Sequence, residues 1–367
     1  MANKPTVVVA LSGGVDSSTA AALLVERGYT VIGVMMRLWS EPLVSLAAPP
    51  RGEKWSGTNR CCAPESVDDA RAVCATLGIP FYLLNYEAEF KARVVDEFIA
   101  GYTRGITPNP CLQCNRALKF GVLLDKARAL GAAYLATGHY ARVRARDGAF
   151  ELLRGVDAQK DQSYALCLLT QAQLARVLFP LGEFTKDETR ALARRFDLRV
   201  ADKAESQDLC FVADGDYRNF LRRHVPDALV PGDIVDTRGN VLGRHTGLAN
   251  YTIGQRKGLG IAVGEPLFVI ALDAARHRVI VGRADELGRR ELMADGVNWI
   301  AGEPPREELR VTAKIRYRAN EVPARVIPLD ATRARVIFDE PLRDITPGQA
   351  VVFYADQVCL GGGVILQ

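Results

Sequence analysis

Three groups of residues in this 367-residue chain have the types and spacing to do chemistry. The first is Ser12-Gly13-Gly14-Val15-Asp16-Ser17-Ser18, set between the apolar run Thr6–Ala10 and a helical pattern, Ser17–Arg27, closed by Gly28. Two glycines let the backbone turn tightly against an anion, and helix-start amides with the hydroxyls of Ser12, Ser17 and Ser18 supply donors, so the segment reads as a pyrophosphate cradle. It lacks the Gly-Lys-Ser/Thr ending of a Walker A loop and the GxGxxG spacing of a dinucleotide site. The second group is Thr107-Pro108-Asn109-Pro110-Cys111-Leu112-Gln113-Cys114-Asn115, where two prolines stiffen the approach to a helix expected from Asn115 and the helix dipole would favour a thiolate at Cys114. The third is Cys210, in Ser206-Gln207-Asp208-Leu209-Cys210-Phe211 after the polar Lys203-Ala204-Glu205.

A single CxxC admits a redox pair, half of a zinc site, part of an iron–sulfur site or coincidence, and no second pair completes a Cys₄ zinc site. Taken alone, Cys210 reads as a small buried hydrophobe, as do Cys74, Cys167 and Cys359 on their helix or strand patterns. Cys61 and Cys62 stand beside a polar, turn-rich insertion, Pro49–Asn59, expected as a surface loop; no function is assigned to them.

The elements that must position these groups alternate in the first half of the chain. After the first strand and helix come Thr30–Met35, a helix capped by Ser66 with Asp69 three positions on and stopped at Gly78, the strand-like Phe81–Leu84, helical stretches at Glu87–Ala100 and Asn115–Leu130, and a strand at Ala132–Ala136 ending in Thr137-Gly138-His139. This predicts an α/β fold with a parallel sheet, whose ligands belong at the carboxyl ends of the strands. Asp147-Gly148 predicts a hairpin, and Thr185 with Glu188 a second capping box. From about Pro231 the pattern turns to short β runs, among them Leu267–Leu272, Arg278–Val281, Val311–Tyr317, Ala334–Phe338 and Ala350–Tyr354, predicting a barrel-like C-terminal domain.

Bulk properties set outer limits. With 48% hydrophobic and 25% charged residues, mean hydropathy of 0.00 and no apolar run near the ~18 residues of a membrane helix, no membrane partner is expected. The N-terminus lacks the pattern of a secretory signal, so a cytoplasmic location is expected and eight cysteines read as buried, metal-binding or catalytic rather than disulfide-paired. A net charge of +4 is too mild to argue for nucleic acid by itself, although Arg142, Arg144 and Arg146 form a local basic run.

The spelling of the first motif resembles the PP-loop of the ATP pyrophosphatase superfamily, whose members cleave ATP between the α and β phosphates and leave AMP on a substrate oxygen. Across the chain the motifs, in order, are similar to the bacterial tRNA-specific 2-thiouridylase family: the PP-loop, Thr107–Phe120, Ala136–Ala141, Lys160–Tyr164, Ser206–Phe211, Thr252-Ile253-Gly254-Gln255-Arg256-Lys257-Gly258-Leu259-Gly260, Lys314–Tyr317 and Pro347–Ala350. The resemblance implies a PP-loop nucleotide-binding domain (1–206), a small central adaptor (207–284) and a C-terminal β-barrel (285–367). It implies adenylation of the C2 oxygen of a wobble uridine and its replacement by sulfur. Cys114 would be the nucleophile and Cys210 the persulfide carrier, the two forming a disulfide as sulfur is released. Ala10, Leu11, Ser12, Gly13, Gly14, Val15, Asp16, Ser17, Met36 and Gly138 would line the ATP site, with Mg²⁺ accompanying the phosphates and Asp16 a candidate ligand. Asn109, Pro110 and Cys111 would meet the target base, while His139, Lys160, Asp161, Gln162, Arg316, Tyr317 and Gln349 would contact tRNA. Partners implied are the anticodon arm of tRNAs with a wobble uridine and a protein that donates persulfide sulfur. Many members carry Asp where this chain has Cys111, so that acid's role does not transfer; Cys111, Cys114 and Cys210 instead suggest an alternative in which they hold a [4Fe–4S] cluster that delivers the sulfur.

Overall fold

The computed structural model describes residues 4–39, 63–204, 209–212, 214–226, 229–261 and 263–366; the Pro49–Asn59 insertion, Cys61 and Cys62 lie outside them. The first unit is a five-stranded parallel sheet built from β1 (Thr6–Leu11), β2 (Thr30–Arg37), β3 (Phe81–Asn85), β4 (Tyr134–Ala136) and, after the hairpin below, β7 (Val177–Leu178), in the order β3-β2-β1-β4-β7. β1 sits at its centre and is apolar on both faces, with Val7, Val8 and Val9 fully buried, which is the signature of a strand covered by helices on each side. Helix α1 (Val15–Glu26) follows β1 directly, and its Ala20, Ala21, Ala22, Leu23 and Leu24 are buried.

Helix α2 (Pro64–Thr76) departs from expectation. Pro64 fixes its first turn behind Ala63, so Ser66 and Asp69 lie inside the helix rather than at its cap, and both turn toward the first loop. Two long helices follow, over residues 87–103 and 110–129, each containing a π-helical stretch (Lys91–Val95 and Cys114–Leu123). The second begins at Pro110, five residues before Asn115, because Asn109 accepts the Leu112 amide at 3.2 Å and proline suits the first helical position.

The hairpin β5 (Ala141–Arg146) and β6 (Ala149–Arg154) turns on Asp147 (φ 51°) and Gly148 (φ 80°) as expected. The central unit is a four-stranded sheet in which β8 (Gly232–Val235), β9 (Val241–His245), β10 (Phe268–Asp273) and β11 (Arg278–Gly282) run in the order β10-β11-β8-β9. The C-terminal unit is an antiparallel barrel of six strands, β12 (Arg289–Trp299), β13 (Leu309–Lys314), β14 (Val322–Pro328), β15 (Ala334–Leu342), β16 (Ala350–Ala355) and β17 (Val358–Ile365), closed by pairing of β12 with β17. β17 also pairs with β6 through Val358–Leu153 and Cys359–Leu152, so the hairpin of the first unit extends the sheet of the last. Cys74, Cys167 and Cys359 are buried, as their patterns suggested. Among the described residues no helix is long and apolar enough to cross a membrane.

Candidate active site

The carboxyl ends of β1, β2 and β4 meet at the Ser12–Ser17 loop, bringing Ala10, Leu11 and Met36 to one rim. Gly13 has φ +70°, and a Cβ there would overlap the Ser66 carbonyl, so only glycine fits. Gly138 follows β4 and packs on the first turn of α1, where a Cβ would come 2.7 Å from the Ser17 amide nitrogen. The hydroxyls are arranged differently from expectation. Ser18 is buried and donates to the Gly14 carbonyl at 2.9 Å, and Ser17 bridges the Ser12 amide (3.1 Å) and the Gly14 carbonyl (3.2 Å). They brace the loop against itself, leaving anion binding to the helix-start amides, which have no acceptor within the helix.

Asp16 stands at the first turn of α1, where its Oδ1 accepts the Tyr140 hydroxyl at 2.9 Å and the Lys186 ammonium at 2.6 Å. Lys186 was not singled out from the sequence, although the correctly expected Thr185–Glu188 capping box places it first in the helix Lys186–Arg195. A cation at a helix N-terminus opposes the helix dipole, and this one, buried, is compensated by Asp16 while its amide donates to Asp157 at 2.9 Å. From the opposite side Lys203 donates to the Gly13 carbonyl at 2.9 Å and to Asp69 at 2.7 Å.

The early start of the helix 110–129 exchanges the roles of its two cysteines. Cys111 falls in the first turn and is exposed, whereas Cys114 lies a turn deeper, buried at 8% exposure and opening the π-helical stretch. The dipole argument made for Cys114 therefore applies more directly to Cys111. Asn115 ties this helix to the Ala165 carbonyl at 3.0 Å. Cys210 is half-buried against the same apolar cluster that contains Cys114, and the next residue, Phe211, is locked edge-on between Phe90, Phe98 and Phe220 at centroid distances of 5.1–5.8 Å.

The remaining expected residues fall into two sets. Tyr317 is 42% exposed and Cys111 is exposed; burial of the Tyr317 hydroxyl, then the charge of Asp161, raises its pKa, against the lowering effect of Lys160 and Arg318. The others are held by internal bonds. The His139 ring bonds the Thr137 hydroxyl through Nδ1 at 2.6 Å between Phe120 and Phe179, and burial, then the charge of Lys119, pushes its pKa well below the usual value. Asp161 is buried and accepts the Gly155 and Ser163 amides and the Ser163 hydroxyl, which in turn meets the Tyr354 hydroxyl at 3.1 Å. Gln162 accepts the Tyr140 amide at 3.0 Å, linking its loop to the partner of Asp16. Arg316 donates to the Ile253 carbonyl at 3.1 Å and to the Thr346 hydroxyl. Gln349 donates to the carbonyls of Thr107 (3.0 Å) and Pro108 (3.3 Å), and the Thr107 amide donates to Pro347 at 3.0 Å. Gly348 (φ +90°) packs on the same segment, where a Cβ would overlap Ile106 and approach the Thr107 oxygen to 2.7 Å. A loop of the barrel thus grips the segment that leads to Asn109, Pro110 and Cys111.

Comparison with known proteins gives the same order of three domains. A tRNA methyl transferase HUP domain profile matches residues 5–214, a tRNA methyl transferase PRC-barrel domain profile residues 218–283, and an aminomethyltransferase beta-barrel domain profile residues 289–365. The chain is 56% identical to a tRNA-specific 2-thiouridylase MnmA of Moorella thermoacetica over 98% of both chains, and 53% identical to that of Magnetococcus marinus over 100% of both. Among solved structures, a 4-thiouridine synthetase–RNA complex with bound ATP overlaps 61% of this chain and 51% of its own at 19% identity, with a TM-score of 0.34, too loose a likeness to bear on function.

Proposed function

The chain belongs to the tRNA-specific 2-thiouridylase family, and from that premise we propose how its residues carry out the reaction. It is an ATP-using tRNA sulfurtransferase that makes 2-thiouridine; 56% identity over 98% of both chains is the observation that carries this assignment. The target is the wobble uridine, presented by the anticodon arm, whose single-stranded loop can splay a base into a pocket. Its C2 oxygen is a poor leaving group, so the O2–AMP bond forms as pyrophosphate leaves ATP. The amides at the start of α1 bind that pyrophosphate, and Lys186, held by Asp16, balances its charge. The Asp16 carboxylate is the hard oxygen donor at the loop that would hold Mg²⁺, which would supply charge neutralisation on the phosphates.

In the sulfur half-reaction Cys210 carries a persulfide received from a donor protein. Its outer sulfur attacks C2, AMP departs, and the Cys114 thiolate then attacks the Cys210 sulfur, breaking the S–S bond and leaving sulfur on C2. The product is a Cys114–Cys210 disulfide that an external thiol must reduce. Tyr317, Lys160 and Cys111 form the surface offered to the base and its backbone, while Gln349 acts by holding the segment before Asn109. The three modules divide at 206/207 and 284/285 in this reading, and the reaction belongs to the cytoplasm. The alternative, in which Cys111, Cys114 and Cys210 would hold a [4Fe–4S] cluster that supplies the sulfur, draws on no grouped metal-ligand set among the described residues, and the iron measurement below separates the two routes.

The test is 2-thiouridine formation on unmodified tRNA with ATP and a persulfide donor, with iron measured in the same preparation. Iron-free protein should be active, and Cys114→Ser and Cys210→Ser should each abolish thiolation. Activity that tracks iron would overturn the persulfide route, and full activity of Cys114→Ser would remove its assigned role.

A further inference from the structure

The resemblance places Gln162 among the tRNA contacts, yet its bonds lead to the phosphate loop. Its Oε1 accepts the Tyr140 amide at 3.0 Å, and its own amide donates to the Tyr140 carbonyl at 2.8 Å, so one residue clasps both backbone polar groups of Tyr140. Gly155 packs on the same peptide, where a Cβ would come 2.9 Å from the Tyr140 oxygen. Tyr140 is buried, and its hydroxyl donates to Asp16 Oδ1 at 2.9 Å.

The loop that carries Gln162 is braced at its neck. Asp161, buried, takes the Gly155 amide (3.0 Å) and the Ser163 amide (3.1 Å) on one oxygen and the Ser163 hydroxyl (2.8 Å) on the other, which ties the two ends of residues 155–163 together. Three donors are what a carboxylate needs to be held away from water. The same loop also reaches the other donor of Asp16. Asp157 Oδ2 accepts the Lys186 amide at 2.9 Å in the first turn of the helix Lys186–Arg195, and the Lys186 ammonium meets Asp16 Oδ1 at 2.6 Å. Tyr140 and Lys186 come from separate elements, but one loop fixes both, and both meet the same oxygen. Two donors on Oδ1 set the rotation of the carboxylate, so the aim of Oδ2 depends on where Tyr140 and Lys186 are held.

We propose that Gln162 is a positioning residue of the ATP site: through Tyr140 it sets the Asp16 carboxylate at the first turn of α1, beside the amides that take the pyrophosphate. The proposal rests on the assignment of the Ser12–Ser17 loop to ATP. Removing Oε1 deprives the buried Tyr140 amide of this acceptor, a cost that a buried donor feels in full, and the Tyr140 hydroxyl carries the resulting misplacement to Asp16.

The experiment uses the full-length enzyme. Affinity for α,β-methylene-ATP with Mg²⁺ is measured by calorimetric titration without tRNA, and the KM for tRNA is read from AMP release. Gln162→Met should weaken analogue binding at least fivefold while the tRNA KM stays within twofold, and Gln162→Glu, which keeps an acceptor for the Tyr140 amide, should stand closer to wild type. Tyr140→Phe alone, which leaves the Gln162 bonds in place, should also weaken the analogue at least fivefold. Adding Gln162→Met to Tyr140→Phe should cost less than a further twofold, because the hydroxyl through which it acts is already gone; a general structural defect would add in full. Analogue affinity within twofold of wild type in Gln162→Met, full additivity in the double variant, or a raised tRNA KM with unchanged analogue binding overturns the proposal. Wild-type affinity in Tyr140→Phe overturns it even where Gln162→Met fails to fold. A wild type that binds no analogue overturns the ATP assignment itself, a result distinct from all of these.

Discussion

At the scale of single residues, the chemistry turns on which charges are buried and what meets them. Lys186 is the clearest case, a buried ammonium held 2.6 Å from Asp16 at the phosphate loop. Replacing it with Met removes a preorganised charge aimed at the pyrophosphate, and losses of about 10²–10³ are typical when one such donor goes. Lys186→Met should therefore lower kcat/KM for AMP formation at least about a hundredfold; AMP release within tenfold of wild type would show that Lys186 only braces Asp16. His139 gives a pH signature. Burial, then Lys119, lowers its pKa in the folded chain, whereas the unfolded chain takes up the proton near the usual value of about 6.5. Its neutral form thus contributes stability that is complete above that pH and is lost as pH falls below it, by at most about 1.4 kcal/mol per pH unit. His139→Gln should flatten the fall in thermal midpoint between pH 7 and pH 5, leaving the part owed to His245, whose pKa burial also lowers. An unchanged slope would mean that the His139 imidazole is protonated in the fold.

At the scale of elements, the sequence revealed periodicity and caps but not the partners of polar side chains. The Thr185–Glu188 box, the Asp147-Gly148 hairpin and the strands at Phe81, Arg278 and Ala350 were legible because each depends on local chemistry. Ser66 and Asp69 misled as a cap because their real partners, Lys203 and Arg199, are 130 or more residues away. The start of the cysteine helix was missed because two prolines read as a barrier, while Pro110 in fact sits where a helix tolerates it, behind the Asn109 cap. Gly348 belongs to this scale as well, since its backbone, at φ +90°, is packed on Thr107. Gly348→Ala adds both an overlap with Ile106 and a strained conformation, so the segment before Cys111 must shift. Thiolation should drop at least tenfold while the ATP KM stays within twofold; an ATP KM that rises in parallel would mean that the grip reaches the nucleotide site.

At the scale of the whole molecule, the domain order was legible from composition and motif order, but the joints between domains were not. Pairing of β6 with β17, and the bidentate bond of Arg154 to Glu321 at 2.5 and 2.6 Å, cross between units that are distant in sequence. Arg154 also stacks over the Tyr354 ring at 3.7 Å, so apolar, charged and backbone contacts coincide at one seam. The first and last units should therefore unfold together. Calorimetry should show one transition for both, with the Trp299 fluorescence change inside it and loss of nucleotide binding at the same temperature; two resolved transitions for these units would mean that the seam is weak.

That seam also has a history during synthesis. The hairpin leaves the ribosome about 200 residues before the strand that completes it, which at 5–20 residues per second is a wait of about 10–40 s. Throughout that interval β6 presents an unmatched row of amides and carbonyls, together with Leu152 and Leu153, which the finished protein buries. Newborn chains would pass through a sticky stage that ends only when Val358 and Cys359 arrive, so slowed translation of the last third should cost yield through aggregation even with every codon still read correctly.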